Sequence, residues 1–448
     1  MIPVIALVGR ANVGKSTLFN VLTKTRDAIV ADEPGVTRDR QYGISTHYEK
    51  NFIVIDTGGV GDESEQIDQL MAAQTWQAVA EAHAVIFVVD AKAGLTNNDS
   101  IVAKKLRLQN KNIFVVINKI DGLNEDLVAL EFYQLGFVHV FLISAAHNRG
   151  INALVKGTLQ TFAGDIFWQE DIKEEQGVKV AIVGKPNVGK STLINSILGE
   201  SRVAVFDQPG TTRDSIFIPF NRHNKNYILI DTAGVRRQSK IHNVVEKFSV
   251  IKTLQAIENA NVVVFLVDGK EVIAEQDLHI LGFIAKAGKA LVLAVNKWDA
   301  LSLEEKKHNK SELERKVKFI YFANWHFISA LQNKGIGQIF TAIDQAYISA
   351  TAKFATNKLS QLLEQALKEH QPPLVGGKRA KLRYAHMGGQ NPLRIVLHGN
   401  KSATKLNESY KKYLENFYFK KLKITGTPVK LEFKCSNDNE ETKISKHI

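Results

Sequence analysis

Residues Gly9 to Ser16 read GRANVGKS, a glycine, four residues and then Gly-Lys-Ser, and the run before them, Met1 to Val8 or MIPVIALV, is apolar enough for a buried strand. That combination is a complete phosphate-binding loop, or P-loop. Its glycines let the backbone curl until several N–H groups converge on one phosphate chain, Lys15 sets a positive charge between the β- and γ-phosphates, and Ser16 offers a hydroxyl to magnesium. The helix expected from Lys15 through TLFNVL adds the positive end of its dipole to the same anion. A lone match of this kind also occurs as a plain glycine turn between strand and helix. Repetition argues against that here, because Gly184 to Ser191 read GKPNVGKS, again after an apolar run, Val178 to Val183, and again before a helical pattern, TLINSIL. The loop residues expected to meet phosphate are Gly9, Arg10, Ala11, Asn12, Val13, Gly14, Lys15, Ser16 and Thr17, and in the second copy Gly184, Lys185, Pro186, Asn187, Val188, Gly189, Lys190, Ser191 and Thr192.

Around the first loop, residues 1–163 alternate short apolar runs with amphipathic stretches. Strands are expected at Val4 to Val8, Phe52 to Asp56, Ala84 to Asp90, Asn112 to Asn118 and Val138 to Ile143. Mostly continuous apolar runs, separated mainly by segments of helical length, predict a largely parallel sheet covered by helices on both faces. In such α/β sheets a ligand sits at the carboxyl ends of the strands. The remaining motifs lie there. Thr37, in EPGVTRD, can bring a hydroxyl to magnesium. Asp56-Thr57-Gly58-Gly59, followed by Val60, ends the run FIVID; the aspartate can hold the metal through water, and Gly59 can present its N–H to the γ-phosphate. Asn118, Lys119 and Asp121 end VVINKID, and Asp121 can accept from the N1 and N2 donors of guanine, which adenine lacks. A site built on that pair rejects adenine, because the carboxylate would be left unpaired. Ser144 and Ala145 can offer a backbone N–H to guanine O6. Each motif alone also reads as a simple turn; their order, each at a strand end, points to a guanine nucleotide.

The second unit, residues 178–351, repeats the set. Thr212, Asp231-Thr232-Ala233-Gly234 with Val235, Asn296-Lys297-Trp298-Asp299 and Ser329-Ala330 follow the first copy at offsets of 175, 175, 178 and 185, against 175 for the P-loop. The expected metal ligands are Ser16, Thr37 and Asp56, then Ser191, Thr212 and Asp231. The residues added before Ser329 include Leu303 to Lys318, a charged stretch that reads as a solvated helix.

The chain of 448 residues exceeds what one core usually supports, and about three domains are expected. One cysteine, Cys435, excludes an internal disulfide and fits a reducing compartment. The N-terminal apolar run flows into the P-loop and has no basic region before it, so it reads as a strand and not a signal peptide. No apolar stretch approaches the roughly 20 residues that span a bilayer, so a cytoplasmic protein is expected. The net charge of +12 is concentrated: residues 352–448 carry 16 Lys and 3 Arg against 8 acidic residues, a net of +11. That is either a solubilising surface or a surface for a polyanion.

Residues 164–177, GDIFWQEDIKEEQG, read as an acidic linker. In residues 352–436 an amphipathic helix, Lys358 to Lys368, precedes strands at Lys381 to His386 and Leu393 to Leu397, joined by a turn at Met387 to Pro392. A second helix from about Thr404 and a final strand, Val429 to Phe433, complete an α-β-β-α-β order expected of a small nucleic-acid-binding module. Residues 437–448 read as a disordered tail.

Two tandem GTPase units with PGVTRD and PGTTRD, DTGG and DTAG, NKID and NKWD, followed by a basic C-terminal domain, resemble the Der or EngA family of bacterial ribosome-assembly GTPases over nearly the whole chain. The resemblance implies that the third domain is KH-like and that the partner is the large (50S) ribosomal subunit or its precursor. One departure stands out: KH domains clamp nucleotides with Gly-x-x-Gly, and the nearest candidate, Gly399-Asn400-Lys401-Ser402, lacks the second glycine, so whether this domain meets RNA or protein stays open. The competing classes are a GTP-regulated RNA-binding protein or a tRNA-directed GTPase outside subunit assembly, and a membrane-linked GTPase. The C-terminus KISKHI is no prenylation signal and argues against the last.

The hydrolytic machinery also departs from a common pattern. In Ras-like enzymes a glutamine that orients water follows the glycine of Asp-x-x-Gly, whereas Val60 and Val235 stand here. Both P-loops carry an asparagine four residues before the serine, Asn12 and Asn187, which reads either as a turn-stabilising side chain or as a ligand for a monovalent cation. The family resemblance favours potassium, which would place Asn12, Lys15, Asn187 and Lys190 in catalytic roles. A monomer is expected.

Overall fold

The computed structural model describes residues 2–23, 29–30, 41–47, 50–57, 75–162, 177–199, 203–205, 216–231, 250–271, 273–375 and 377–435. The chain divides into two compact units, Met1–Glu174 and Glu175–Ile448.

In the first unit seven strands form one sheet: β1 (Val4–Val8), β2 (Ile29–Val30), β3 (Gln41–His47), β4 (Lys50–Asp56), β5 (Ala84–Asp90), β6 (Asn112–Asn118) and β7 (His139–Leu142), in the order β2-β3-β4-β1-β5-β6-β7. From β4 through β7 all neighbours are parallel. β3 pairs antiparallel with β4, and β2 with β3. The apolar runs explain the parallel part, because β1 is buried at every position and β5 and β6 at all but one end, as helices on both faces require. β3 joins β4 through only two residues, a connection too short for a parallel crossover, so this edge must fold back.

The second unit opens with the same topology: β8 (Val178–Val183), β9 (Val203–Val205), β10 (Ile216–Arg222), β11 (Lys225–Asp231), β12 (Val262–Asp268), β13 (Ala290–Asn296) and β14 (Trp325–Phe327), in the order β14-β13-β12-β8-β11-β10-β9. Helices Lys15–Thr23 and Lys190–Leu198 leave the two P-loops. The helix before Ser329, Leu303–Lys316, has 14 residues where its counterpart Glu125–Phe132 has 8. It buries only Leu313, so it is the solvated helix expected from its charges.

After residue 351 the helix Thr356–Glu369 and then β15 (Leu374–Val375) and β16 (Lys378–Arg379) lead into β17 (Leu382–Gly389) and β18 (Leu393–Gly399); the helix Glu408–Lys421 and β19 (Val429–Cys435) follow. β18 lies between β17, antiparallel, and β19, parallel. Leu359, Leu363, Ala385, Ile395, Leu397, Leu414 and Tyr418 form the core of this module. The α-β-β-α-β order is as expected, with two local corrections here and one, at β7, in the first unit. β17 continues through Met387–Gly389, so the turn is confined to residues 390–392. The second helix starts at Glu408 and not near Thr404, because the Asn407 side chain accepts from Tyr410 N at 3.0 Å and caps it there. β7 starts at His139, leaving Val138 91% exposed.

Gly399 has a packing explanation. A Cβ there would lie 2.4 Å from Lys381 O and 2.8 Å from Ala403 Cβ, and the Asn400 side chain ties Lys381 N, Ala403 N and Arg379 O together. This segment braces the module internally. Within the second unit the module is joined to the GTPase sheet by backbone: Leu291 N donates to Gly426 O and Gly426 N to Phe322 O, both at 2.7 Å, and Asn391 N donates to Ala350 O at 3.0 Å. Tyr321 packs edge-on against Phe419 at 5.2 Å.

Candidate functional site

The two P-loops have the same backbone geometry. Asn12 and Asn187 both sit at φ 64°, and Gly14 and Gly189 at φ 97°. Positive φ is a conformation that asparagine tolerates better than most residues, so the turn reading accounts for the backbone at these positions. Both residues are exposed. At Gly14 and Gly189 a Cβ would lie 2.3 Å from Nδ2 of Asn118 or Asn296, so the loop and the Asn-Lys-x-Asp motif touch directly.

Lys15, 6% exposed, donates to Gly9 O at 3.0 Å and Arg10 O at 2.7 Å. Burial pushes its pKa down to about 8, with Asp56 acting in the opposite direction. Lys190 repeats the contacts, donating to Gly184 O at 3.1 Å and Lys185 O at 2.6 Å. A buried ammonium that burial alone disfavours gains most from an anion brought beside it. Burial likewise pushes the Asp56 carboxyl up, against the Ser16 hydroxyl and the Lys15 charge. Asp56 Oδ1 is buried and, among the described residues, accepts no hydrogen bond. An orphaned carboxylate oxygen beside a serine hydroxyl is a hard oxygen set, and it fits a magnesium ion.

Asn118 links three segments: Nδ2 donates to Val13 O at 2.9 Å, and Oδ1 accepts from Ala145 N at 3.0 Å. Asn296 does the same with Val188 O and Ala330 N, both at 2.9 Å. Lys119, at φ 67°, donates to Asn12 O and to Asp90 Oδ2, both at 2.7 Å. Lys297 donates to Asn187 O at 2.8 Å and Asp268 Oδ2 at 2.5 Å. Asp121 and Asp299 are held below the usual carboxylate pKa, first by the hydroxyls of Ser144 and Ser329. Both are thereby kept ionised, and Asp299 Oδ2 accepts from Gln332 Nε2 at 3.1 Å. Thr57 is turned away from the loop, its hydroxyl donating to Leu7 O at 2.7 Å.

Each unit therefore brings its P-loop, its Asn-Lys-x-Asp motif and its Ser-Ala motif together at the carboxyl ends of the central strands, and the first unit adds Asp56. Thr37, Gly58, Gly59, Val60, Thr212, Thr232, Ala233, Gly234 and Val235 lie outside the described residues, as do the linker before Gly177 and the tail. Four acidic residues of the site did not emerge from the sequence reading. Asp90 and Asp268 hold the motif lysines. Asp99 and Asp277 hold Arg10 and Lys185, with Arg10 Nε to Asp99 Oδ1 at 2.9 Å and Lys185 Nζ to Asp277 Oδ2 at 2.8 Å. The signal that marks them is recurrence, since both pairs fall at the 178-residue offset of the Asn-Lys-x-Asp motif.

Comparison with known proteins agrees with this duplication. A family model described as 50S ribosome-binding GTPase matches residues 4–119 and again 179–297. One described as KH-domain-like of EngA bacterial GTPase enzymes, C-terminal, matches residues 353–434. The chain is 53% identical over 438 residues to the GTPase Der of Saccharophagus degradans, covering 98% of this chain and 93% of the relative. To that of Legionella pneumophila it is 52% identical, covering 99% and 96%. To that of Vibrio cholerae it is 50% identical, covering all of this chain and 96% of the relative.

Proposed function

The chain belongs to the Der family of tandem GTPases and is a GTP-hydrolysing enzyme, and on that premise we propose that it acts in assembly of the large (50S) ribosomal subunit, in the cytoplasm and as a monomer. The domains would be residues 1–163 and 178–351 for the two GTPase sites, an acidic linker between them, and the basic module 352–436. The observation that carries the reading is the duplicated cradle in one chain whose residues 352–448 carry a net charge of +11.

In each site Lys15 or Lys190 and the N–H groups of the P-loop would hold the phosphates, and Asp121 or Asp299 would select guanine over adenine. Ser144-Ala145 and Ser329-Ala330 would line the base pocket, but the N–H groups expected to meet the base oxygen are engaged within the site, Ser144 N by Arg149 O at 3.1 Å and Ala145 N by Asn118 Oδ1 at 3.0 Å, with the same pattern at Ser329 and Ala330. Ser16, Thr37 and Asp56, and in the second site Ser191, Thr212 and Asp231, would hold magnesium, which would supply positive charge to a phosphate chain. Because Val60 and Val235 cannot orient a water, Asn12 and Asn187, both exposed, would help hold a potassium ion, and with Lys15 and Lys190 they would meet the charge that develops on the phosphate oxygens. The basic module would meet ribosomal RNA or protein by a surface other than a Gly-x-x-Gly clamp, since Gly399 is taken up by internal packing.

The test is sedimentation with a non-hydrolysable GTP analogue. The chain should move with large subunits or their precursors, and release should steepen with salt as phosphate contacts give way to counterions. Unchanged binding by residues 1–351 would remove the basic module from the account, and co-migration with membranes would refute the ribosomal reading.

A further inference from the structure

The second residue of each P-loop turns its side chain away from the loop. Arg10 reaches Asp99 at the start of the helix Asn97–Arg107, and Lys185 reaches Asp277 at the start of the helix Glu275–Ala287. Asp99 is fully buried. Its Oδ1 takes Arg10 Nε, and its Oδ2 takes Thr96 N at 3.1 Å and the Thr96 hydroxyl at 2.7 Å. Asp277, 5% exposed, takes Ala274 N at 3.0 Å and the Lys185 ammonium on the same oxygen. The chemistry differs between the copies, arginine with a threonine cap against lysine with alanine, yet the geometric role is the same.

That role reaches the phosphate through the main chain. The carbonyls of Arg10 and Lys185 are the ones to which Lys15 and Lys190 donate at 2.7 and 2.6 Å. A side chain fixed at one end and a carbonyl bonded at the other leave residue 10 or 185 little freedom, and the P-loop lysine is held in turn. We propose that Asp99 and Asp277 are positioning residues for GTP hydrolysis, acting through the Arg10 and Lys185 backbones to set the P-loop lysine. This rests on the reading of both loops as nucleotide sites. Each carboxylate pairs with the side chain of the second P-loop residue and acts as an anchor, so its loss should lower turnover through geometry, as a misplacement of about 1 Å does elsewhere.

The test uses the full chain with the second site silenced by Lys190→Ala, so that hydrolysis reports the first. Asp99→Asn and Arg10→Ala should each lower kcat on the order of tenfold, and the double variant should fall no further, since both remove one contact. Arg10→Lys, which copies the pairing of the second site, should recover most of the kcat that Arg10→Ala loses. Thr96→Ala separates the anchor from the helix cap, because it loosens the helix start but leaves the Arg10–Asp99 pair, and it should also keep kcat within about twofold. Additive losses in the double variant would overturn the proposal. So would a loss in Thr96→Ala equal to that in Asp99→Asn, or full turnover in Asp99→Asn. If the silenced chain binds no GTP at all, the reading of the first loop fails and the proposal with it; binding and turnover that ignore Asp99 sink the proposal alone.

Discussion

Replacing Asn118 with alanine should disassemble the first nucleotide site without unfolding its sheet. The side chain is 2% exposed and ends the buried strand β6. Its removal breaks two hydrogen bonds at once, to Val13 O at 2.9 Å and from Ala145 N at 3.0 Å. Each partner is a backbone group in a loop beside β6, and both lose the side chain that joins the two loops. Leaving a buried polar group unpaired costs about 1–3 kcal/mol; with water entering the vacated space, the pair together should cost about 2–4 kcal/mol. Because the bonds join the P-loop to the base-facing loop, most of that cost should fall on binding, a loss of about 30- to 1,000-fold in GDP affinity. Titration of a fluorescent GDP analogue measures it, with Asn296→Ala as the matched variant that should weaken only the second site. A folded Asn118→Ala chain whose first site keeps its GDP affinity within about threefold would refute the reasoning.

Asp299→Asn should relax the second site toward xanthine nucleotides, which carry a carbonyl where guanine has an amino group; unchanged guanine selectivity there would show the role of Asp299 to be misassigned. Hydrolysis should be several-fold faster in potassium than in sodium at equal ionic strength, and Asn12→Ala with Asn187→Ala should abolish the difference; equal rates in the wild-type chain would rule out the cation. His326, half-buried in β14, has its pKa pushed below 6.5 by burial. The unfolded chain therefore binds the proton first, so stability held above about pH 6.5 should decline as the pH falls toward the folded pKa. Urea midpoints at pH 7.5 and 5.5 check this, and His326→Phe should flatten the dependence.

The sequence made the central strands and both P-loops legible because they are uniform. β1, β5, β6 and β13 are continuous apolar runs, and the glycines fall where a Cβ would meet another chain segment. The edge strands gave no such signal. Gln41–His47, QYGISTH, is half polar, and Gly43 looks like a breaker; the structure places it where a Cβ would lie 2.5 Å from Thr23 Cγ2 and 2.8 Å from Phe19 Cζ, so it lets the P-loop helix close on β3. β10, IFIPFNR, carries a proline that argues against an inner strand; β9 pairs it only over Phe220–Arg222, so Pro219 lies beyond that pairing. The supporting acids were hidden for another reason. An aspartate at a strand end or in a helix first turn is ordinary, and only the fold brings Asp90 to Lys119 and Asp99 to Arg10 across many residues of sequence.

The central claim is that one chain holds two complete guanine-nucleotide sites, and the stoichiometry of GDP binding by calorimetry addresses it most directly. Two GDP per chain are expected, falling to one in either Asp121→Ala or Asp299→Ala, with ATP displacing neither. A single GDP per chain before any substitution, or displacement by ATP at equal concentration, would contradict the account.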